Sequence, residues 1–193
     1  MSAGTAISDR LSPLISQAVF RVLLESLARP GRVFRLPKET GQVGPGIVPL
    51  AIAVIGSKVA IAGAPEWQAR ICRATGASPV GIDEASLVAI YGTATTETVS
   101  RLRRGSADAP EDGAKVGLAC GALSQDGPGE TTIELKGPGV PGRTRLGVDG
   151  VSREVFDALR AANAMFPAGV DVWLVDESGR VAGLPRSARQ AVV

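Results

Sequence analysis

The six residues Ser86-Leu87-Val88-Ala89-Ile90-Tyr91 form a short, continuous apolar run. A strand that has only one face against the core alternates apolar and polar residues, whereas a strand covered by helices on both faces does not. This run therefore predicts a central strand with a layer of helices on each side. It indicates an α/β protein.

Four flanking segments have the features of helices. Ser12 is placed to cap a helix that takes Pro13 in its first turn, and apolar residues then recur every four positions on one face: Ile15, Val19, Leu23 and Leu27. Pro65 opens a helix that closes at Gly76, and Thr95 or Thr96 caps the next. A further amphipathic helix begins at Ser152 and has one apolar face: Val155, Phe156, Leu159 and Ala162.

Other segments read as strands. We expect strands at 33–36 and 58–62, and a terminal hairpin of 170–174 and 180–184 around Asp176-Glu177-Ser178-Gly179. We expect 114–122 and 131–136 to pair with each other, joined by the loop 124–129, with 143–148 extending the same sheet. The apolar stretch 44–56 fits a buried helix or a buried strand, and we favour a short helix.

Together these elements predict one domain over residues 1–193, a three-layer α/β/α arrangement with a central mixed sheet.

The net charge of +2 with mixed signs argues against a nucleic-acid-binding surface. The longest strongly apolar run, Ile47 to Ile55, contains Pro49 and is too short to cross a membrane, and residues 1–10 lack the layout of a signal peptide. With only Cys72 and Cys120 as thiols, we expect a cytoplasmic protein.

The composition excludes several kinds of catalysis within one chain. Histidine is absent, which removes serine-histidine, cysteine-histidine and histidine-zinc chemistry. The run Gly137 to Gly142 formally fits a dinucleotide fingerprint, but its two prolines lack N–H donors and a strand-like segment follows, so we expect no nucleotide there. The lysines lack the neighbours that activate a Schiff-base amine and are interpreted as surface amines: Lys38, Lys58, Lys115 and Lys136. We expect no cofactor and no metal.

Four residues are candidates for binding an anion. Asp171 lies on an apolar strand, where a carboxylate requires a partner. Arg186 comes directly after the next strand of the predicted hairpin and is therefore expected near Asp171. A structural ion pair is favoured over anion binding for these two residues. Arg29 and Arg32 flank the corner Pro30-Gly31 and have the guanidinium geometry to hold a phosphonate or phosphate, although Arg29 is equally placed to compensate the carbonyls at the preceding helix end. The sequence leaves both readings of Arg29 open.

Three proline-glycine segments punctuate the chain at sites where regular elements begin or end. They are Ala28-Arg29-Pro30-Gly31-Arg32, Leu135-Lys136-Gly137-Pro138-Gly139-Val140, and Phe166-Pro167-Ala168-Gly169-Val170-Asp171 followed by Ala182-Gly183-Leu184-Pro185-Arg186. In identity and order, from Phe20-Arg21 onward, these segments resemble the PhnH subunit of the bacterial carbon-phosphorus lyase core complex.

The resemblance implies a fold, partners and a role in phosphonate breakdown. The fold it implies is a homodimeric α/β fold similar to the large domain of pyridoxal-phosphate-dependent transferases, without the cofactor. The partners it implies are the PhnG, PhnI and PhnJ subunits, with which the complex displaces adenine from ATP by an alkylphosphonate to give α-D-ribose 1-methylphosphonate 5-triphosphate. We expect a scaffold or co-catalytic subunit of that transferase; whether this chain catalyses anything alone stays open. The alternative is an independent small-molecule binder or transferase that holds an anion with Arg29, Asp171 and Arg186.

Overall fold

The computed structural model describes residues 11–41 and 43–193, and it gives five α-helices in this part of the chain. They are α1 Pro13–Ala28, α2 Ile47–Ile52, α3 Glu66–Thr75, α4 Thr96–Ser100 and α5 Arg153–Ala162. The strands are β1 Phe34–Arg35, β2 Lys58–Ala62, β3 Ser78–Pro79, β4 Leu87–Ile90, β5 Lys115–Cys120, β6 Leu123–Gln125, β7 Thr131–Lys136, β8 Thr144–Val148, β9 Asp171–Asp176, β10 Arg180–Leu184 and β11 Arg189–Val192. None of the helices in these described ranges is both long and apolar enough to span a bilayer.

The strands form two sheets, which we call the large sheet and the small sheet. The large sheet has the order β1-β10-β9-β5-β4-β2-β3, with parallel pairing from β9 to β3 and antiparallel pairing at the β10 and β1 edge. The predicted mixed sheet and the terminal β9–β10 hairpin are therefore confirmed. Every residue of β4 is buried, because helices cover one face and helices with the small sheet cover the other.

The helices divide between the two faces of the large sheet. Side chains of α1, α2 and α3 pack on one face, whereas those of α4 and α5 pack on the other together with the small sheet. The chain leaves β2 through α3 toward the β3 edge, and it leaves β4 through α4 toward β5. Two right-handed crossovers that run in opposite directions place their helices on opposite faces. The winding therefore reverses between β2 and β4, and this reversal is the topological switch point of the sheet.

The small sheet corrects one of the sequence predictions. Its order is β11-β7-β8-β6, all antiparallel, so the segment 131–136 pairs with 144–148 and 189–192 and not with 114–122. The expectation that 143–148 lies beside 131–136 is confirmed. The physical reason is burial: β5 is apolar along most of its length and takes neighbours on both sides in the covered large sheet, whereas β7 buries alternate residues and covers only one face.

Helix α1 follows its sequence signals. The Ser12 hydroxyl accepts a hydrogen bond from the Ile15 N–H at 3.4 Å, and Val19 and Leu23 are buried on the predicted face. The Trp173 indole N–H reaches from β9 to donate to the Leu23 carbonyl at 2.9 Å, which fixes the helix on the sheet. The favoured helix in the stretch 44–56 is also found, as a 3-10 turn that leads directly into α2.

The three proline-glycine segments meet in space, because glycines allow the main chain to approach closely. A Cβ at Gly139 would overlap the Ala28 carbonyl oxygen, and one at Gly137 would lie 3.1 Å from the Ser187 carbonyl oxygen. A Cβ at Gly183 would lie 2.5 Å from the carbonyl group of Ser26 in α1. These contacts join α1, the β7–β8 connection and the β10–β11 connection into one packed region.

Candidate functional site

A cleft of about 550 Å³ lies at the carboxyl ends of the parallel strands, and we call it the carboxyl-edge cleft. Residues in the last positions of β5 and β9, and residues directly after β4, β5 and β9, line it: Tyr91, Gly92, Ala119, Cys120, Gly121, Val175, Asp176 and Glu177. The segment between β1 and α2 closes the other side, with Leu36, Thr40, Gly41, Val43, Gly44, Pro45 and Ile47. Ligands of open α/β sheets bind outside the carboxyl ends of the strands, so both volume and position favour a binding site here.

The floor of the cleft depends on glycines. The 3-10 turn Gly44–Gly46 lies directly on the large sheet, where a Cβ at Gly117 would overlap the Pro45 carbonyl oxygen. A Cβ at Gly46 would overlap the Tyr91 hydroxyl oxygen. That hydroxyl donates to the Val43 carbonyl at 2.8 Å and holds the turn in place. The ring of Tyr91 stacks on Trp67 of α3 with the centroids 6.0 Å apart, so the cleft adjoins the switch point.

The Asp176 carboxylate is fully buried and is held by its own hairpin turn. Its Oδ1 accepts from the backbone N–H groups of Ser178 and Arg180 at 2.9 and 2.8 Å and from the Ser178 hydroxyl at 2.8 Å. Its Oδ2 accepts from the Arg180 guanidinium at 2.6 Å. A buried carboxylate is stable only when its charge and lone pairs are matched in this way. Asp176 therefore serves the turn and has little capacity left for a ligand.

Cys120 faces Asp176 across the register of β5 and β9. Burial, with a further contribution from the negative charge of Asp176, raises the pKa of the Cys120 thiol to about 12. Burial likewise raises the pKa of the Tyr91 phenol well above its ordinary value. Both groups are therefore neutral at physiological pH and give the cleft no nucleophile.

We expect Cys120 to resist alkylation. At pH 8 a thiol with a pKa near 12 is ionised in about one molecule in ten thousand, and only the thiolate reacts. Iodoacetamide should therefore modify Cys72, which is partly exposed, long before Cys120, as measured by peptide mass spectrometry over time. The variant Cys72→Ser serves as control, since Cys120 is its remaining thiol. Equal labelling of both cysteines in the native protein would contradict the burial of Cys120 and the raised pKa of its thiol.

Asp171 and Arg186 form the expected ion pair at the amino end of β9. The Arg186 Nη2 and Nε contact the Asp171 Oδ2 at 2.8 and 3.2 Å, and the Arg186 N–H donates to Oδ1 at 2.9 Å. The remaining guanidinium nitrogen donates to the Pro110 carbonyl. The Arg186 side chain is 11% exposed and the Asp171 side chain is 19% exposed. The pair ties β9, the β10 exit and the 3-10 turn Pro110–Asp112 together.

The other two candidate residues lie at the corner after α1. The Arg29 guanidinium pairs with Glu25 one turn earlier at 2.7 Å, and its backbone N–H caps the Glu25 carbonyl at 3.0 Å. The Arg32 side chain is exposed, and no carboxylate in the described ranges pairs with it. Among the described residues, neither arginine bonds to the Asp171–Arg186 pair. The structure thus brings together two of the four candidates.

The remaining motifs have local structural roles. The run Gly137 to Gly142 connects β7 to β8 and no helix follows it, so the geometry that a dinucleotide fingerprint requires is not formed. Lys58 and Lys136 are about half exposed and pair with Glu84 and Glu134. The Lys115 amine donates to the carbonyls of Glu111 and Gly113.

Helix α1 also presents an apolar face that the rest of the described chain does not cover. Phe20 and Leu24 are 47% and 56% exposed, although they lie one turn apart beside the buried stripe. They border a groove of about 340 Å³, which we call the α1 groove. Its lining is Phe20, Leu23, Leu24, Leu27, Ile52, Ser57, Ser86, Leu87, Lys115 and Trp173. Exposed apolar side chains that adjoin a groove mark interaction surfaces.

These features define a mixed-sheet α/β protein with an attached antiparallel sheet, an uncharged thiol and phenol in the carboxyl-edge cleft, and an open apolar groove. Residues 11–191 match the family described as bacterial phosphonate metabolism protein (PhnH), and the chain belongs to that family. It is also similar to a protein of Stutzerimonas stutzeri named putative C-P lyase subunit protein HtxG. The two are 30% identical over 171 residues, which cover 89% of this chain and 83% of the relative. The resemblance inferred from the proline-glycine segments is therefore confirmed, as is a role in phosphonate metabolism.

Proposed function

We propose that the chain is a scaffold or co-catalytic subunit of a carbon-phosphorus lyase core complex. In that complex it would support the formation of α-D-ribose 1-methylphosphonate 5-triphosphate from ATP and an alkylphosphonate. Membership of the PhnH family and a relative named as a carbon-phosphorus lyase subunit support this proposal. The partners would be the PhnG, PhnI and PhnJ subunits. The family also leads us to expect a fold related to the large domain of pyridoxal-phosphate-dependent transferases.

The observation that carries the proposal is the α1 groove. An amphipathic surface helix normally presents polar side chains to water, yet α1 adds Phe20 and Leu24 to the apolar arc beside its buried stripe. Covering two such side chains would stabilise an interface by about 2 to 4 kcal/mol at the usual value per buried residue. We assign this surface to a partner subunit.

The test is co-purification of the chain with its co-expressed partner subunits. Phe20→Asp and Leu24→Asp each place a charge in the interface and should reduce recovery of the partners at least tenfold, because apolar anchors dominate interface energies. The matched control is Leu14→Asp on the same helix, since Leu14 is 79% exposed and lies outside the groove. Circular dichroism and melting temperature verify folding. Full recovery with both groove variants would refute the docking surface, whereas a wild-type chain that never co-purifies would refute the subunit assignment.

A homodimer is a separate expectation that we carry from the family. Light scattering coupled to gel filtration should give about twice the chain mass of 19.7 kDa. A monomeric mass at micromolar concentration would contradict it.

An independent anion-binding role remains a second candidate, with Arg29, Arg32, Asp171 and Arg186 as its residues. The guanidinium of Arg32 favours it, since it is exposed and has no ion-pair partner among the described residues, whereas the Arg186 guanidinium is already engaged by Asp171 and Pro110. Calorimetry of the isolated chain with an alkylphosphonate, ATP and pyridoxal phosphate separates the two candidates. Saturable micromolar binding that is lost in Arg32→Ala or Arg186→Ala would support the anion-binding role, and no heat with any of the three would eliminate it.

A further inference from the structure

We propose that the carboxyl-edge cleft binds an uncharged or cationic organic molecule and rejects the phosphonate anion. The cleft lies at the position where parallel α/β sheets bind ligands, and its volume of about 550 Å³ is within the ordinary range for a small-molecule site. The inference does not depend on the proposed function, because it concerns the chemistry of the cleft alone.

The charge of the lining is the first argument. Asp176 and Glu177 line the cleft, and no lysine or arginine in the described residues does. Arg180 compensates Asp176, but the exposed Glu177 has no basic partner within the described ranges. Two further basic residues lie near lining residues along the chain, but neither is part of the lining: Lys38 is in the 3-10 turn that ends at Thr40, and the Arg35 guanidinium donates to the Ser178 carbonyl at 3.1 Å. A phosphonate dianion would lose its hydration here and gain no cation.

The neutral groups are the second argument. The thiol of Cys120 and the phenol of Tyr91 keep their protons, so neither adds charge. The hydroxyls of Thr40 and Tyr91 donate to the carbonyls of Pro37 and Val43, so their protons are already used within the chain.

The remaining walls are apolar side chains and glycine main chain, which favour an uncharged ligand body. The apolar walls come from Leu36, Val43, Ile47 and Val175, and the glycines are Gly41, Gly44, Gly92, Gly121, Gly150 and Gly179. Any charge that the ligand carries would be positive and directed toward Glu177.

Three probes with one skeleton test this charge preference: benzylamine, benzyl alcohol and benzylphosphonate. Titrations followed by ¹H–¹⁵N spectra of the full chain at pH 7.5 should show saturable shifts of the Gly44, Gly92 and Gly121 amides with the amine and the alcohol. We expect dissociation constants of about 1 mM, typical of ligands this small. Benzylphosphonate should bind at least tenfold more weakly at these amides.

Two variants locate the effect. Glu177→Gln should weaken the binding of benzylamine about three- to tenfold and leave the binding of benzyl alcohol unchanged, because it removes one negative charge without changing the shape of the side chain. Ala119→Phe should abolish the binding of both probes, because the larger side chain would fill the cleft. Ala119 lines the cleft and is paired with Val175, another lining residue, in the register of β5 and β9. Spectral dispersion verifies that each variant is folded.

The proposal is overturned if benzylphosphonate shifts these amides as strongly as the amine, or if neither the amine nor the alcohol saturates by 20 mM. The comparison of the three probes uses the unmodified chain, so it remains decisive even where Ala119→Phe fails to fold.

Discussion

Replacing Arg186 with alanine is expected to lower the free energy of unfolding by about 3 kcal/mol. The change removes the guanidinium that neutralises Asp171, whose side chain is 19% exposed in the native protein, and the backbone N–H of residue 186 is then the donor from that residue that remains. An uncompensated and largely buried charge is among the most destabilising consequences of a single substitution. Urea unfolding followed by circular dichroism measures the change.

A surface ion pair supplies the matched control. Arg160 pairs with Asp157 at 3.0 Å, but the two side chains are 61% and 42% exposed, so Arg160→Ala should change stability by no more than about 0.5 kcal/mol. The double variant Asp171→Asn with Arg186→Met removes both charges and should recover part of the loss. If Arg186→Ala proves as mild as Arg160→Ala, the pair does not hold β9 to the β10 exit as described.

The second large effect is expected from Gly183→Ala, which should also destabilise the fold by about 3 kcal/mol. The added Cβ would lie 2.5 Å from the Ser26 carbonyl group and 2.7 Å from the Leu27 nitrogen, and main-chain atoms of a packed helix cannot rotate away as a side chain would. Helix α1 would have to lift from the sheet, against the Trp173 to Leu23 hydrogen bond. A fall in melting temperature of roughly 6 to 12 °C corresponds to this loss.

Gly121→Ala is the control for this substitution. A Cβ at Gly121 would meet Asp149 at 3.5 Å, which is ordinary van der Waals contact, and we expect little change in melting temperature. Equal melting temperatures for the two variants would mean that α1 is not seated against β10 as closely as the structure places it.

The fold was predictable where one local pattern had one physical meaning. The caps at Ser12 and Thr95 and the left-handed Gly76 at the end of α3 all lie where the sequence indicated helix boundaries. The continuous apolar run of β4 likewise identified a strand covered on both faces. Each of these signals depends on interactions within a few residues, which a sequence displays directly.

Strand pairing was less predictable, because the strand that pairs with a given strand can lie far away along the chain. The separation of β5 from β7 into different sheets depends on β9 and β11, which arrive about 50 residues later. Sequence adjacency favoured a hairpin, whereas burial on both faces required that β5 take parallel neighbours in the large sheet. The small sheet as a separate unit was missed for the same reason.

The candidate site was predicted only in part. The Asp171–Arg186 pair followed from the cost of a lone carboxylate on an apolar strand, and the structure forms that pair. The carboxyl-edge cleft was missed, although a usable signal existed: Tyr91, Asp176 and Cys120 each stand at or next to the end of an apolar strand. Parallel strands bring such ends to one edge, but the parallel order itself was not visible in the sequence.

The seating of the Gly44–Gly46 turn on Gly117 has a consequence for how this protein family can diversify. Where a binding floor consists of peptide backbone, substitutions there tend to obstruct folding before they alter selectivity, so few are tolerated. Selective pressure for a new ligand would then act on the rim, at positions such as Ala119 and Glu177. Relatives with different small-molecule preferences are accordingly expected to share the glycines beneath and to differ in the side chains around the mouth.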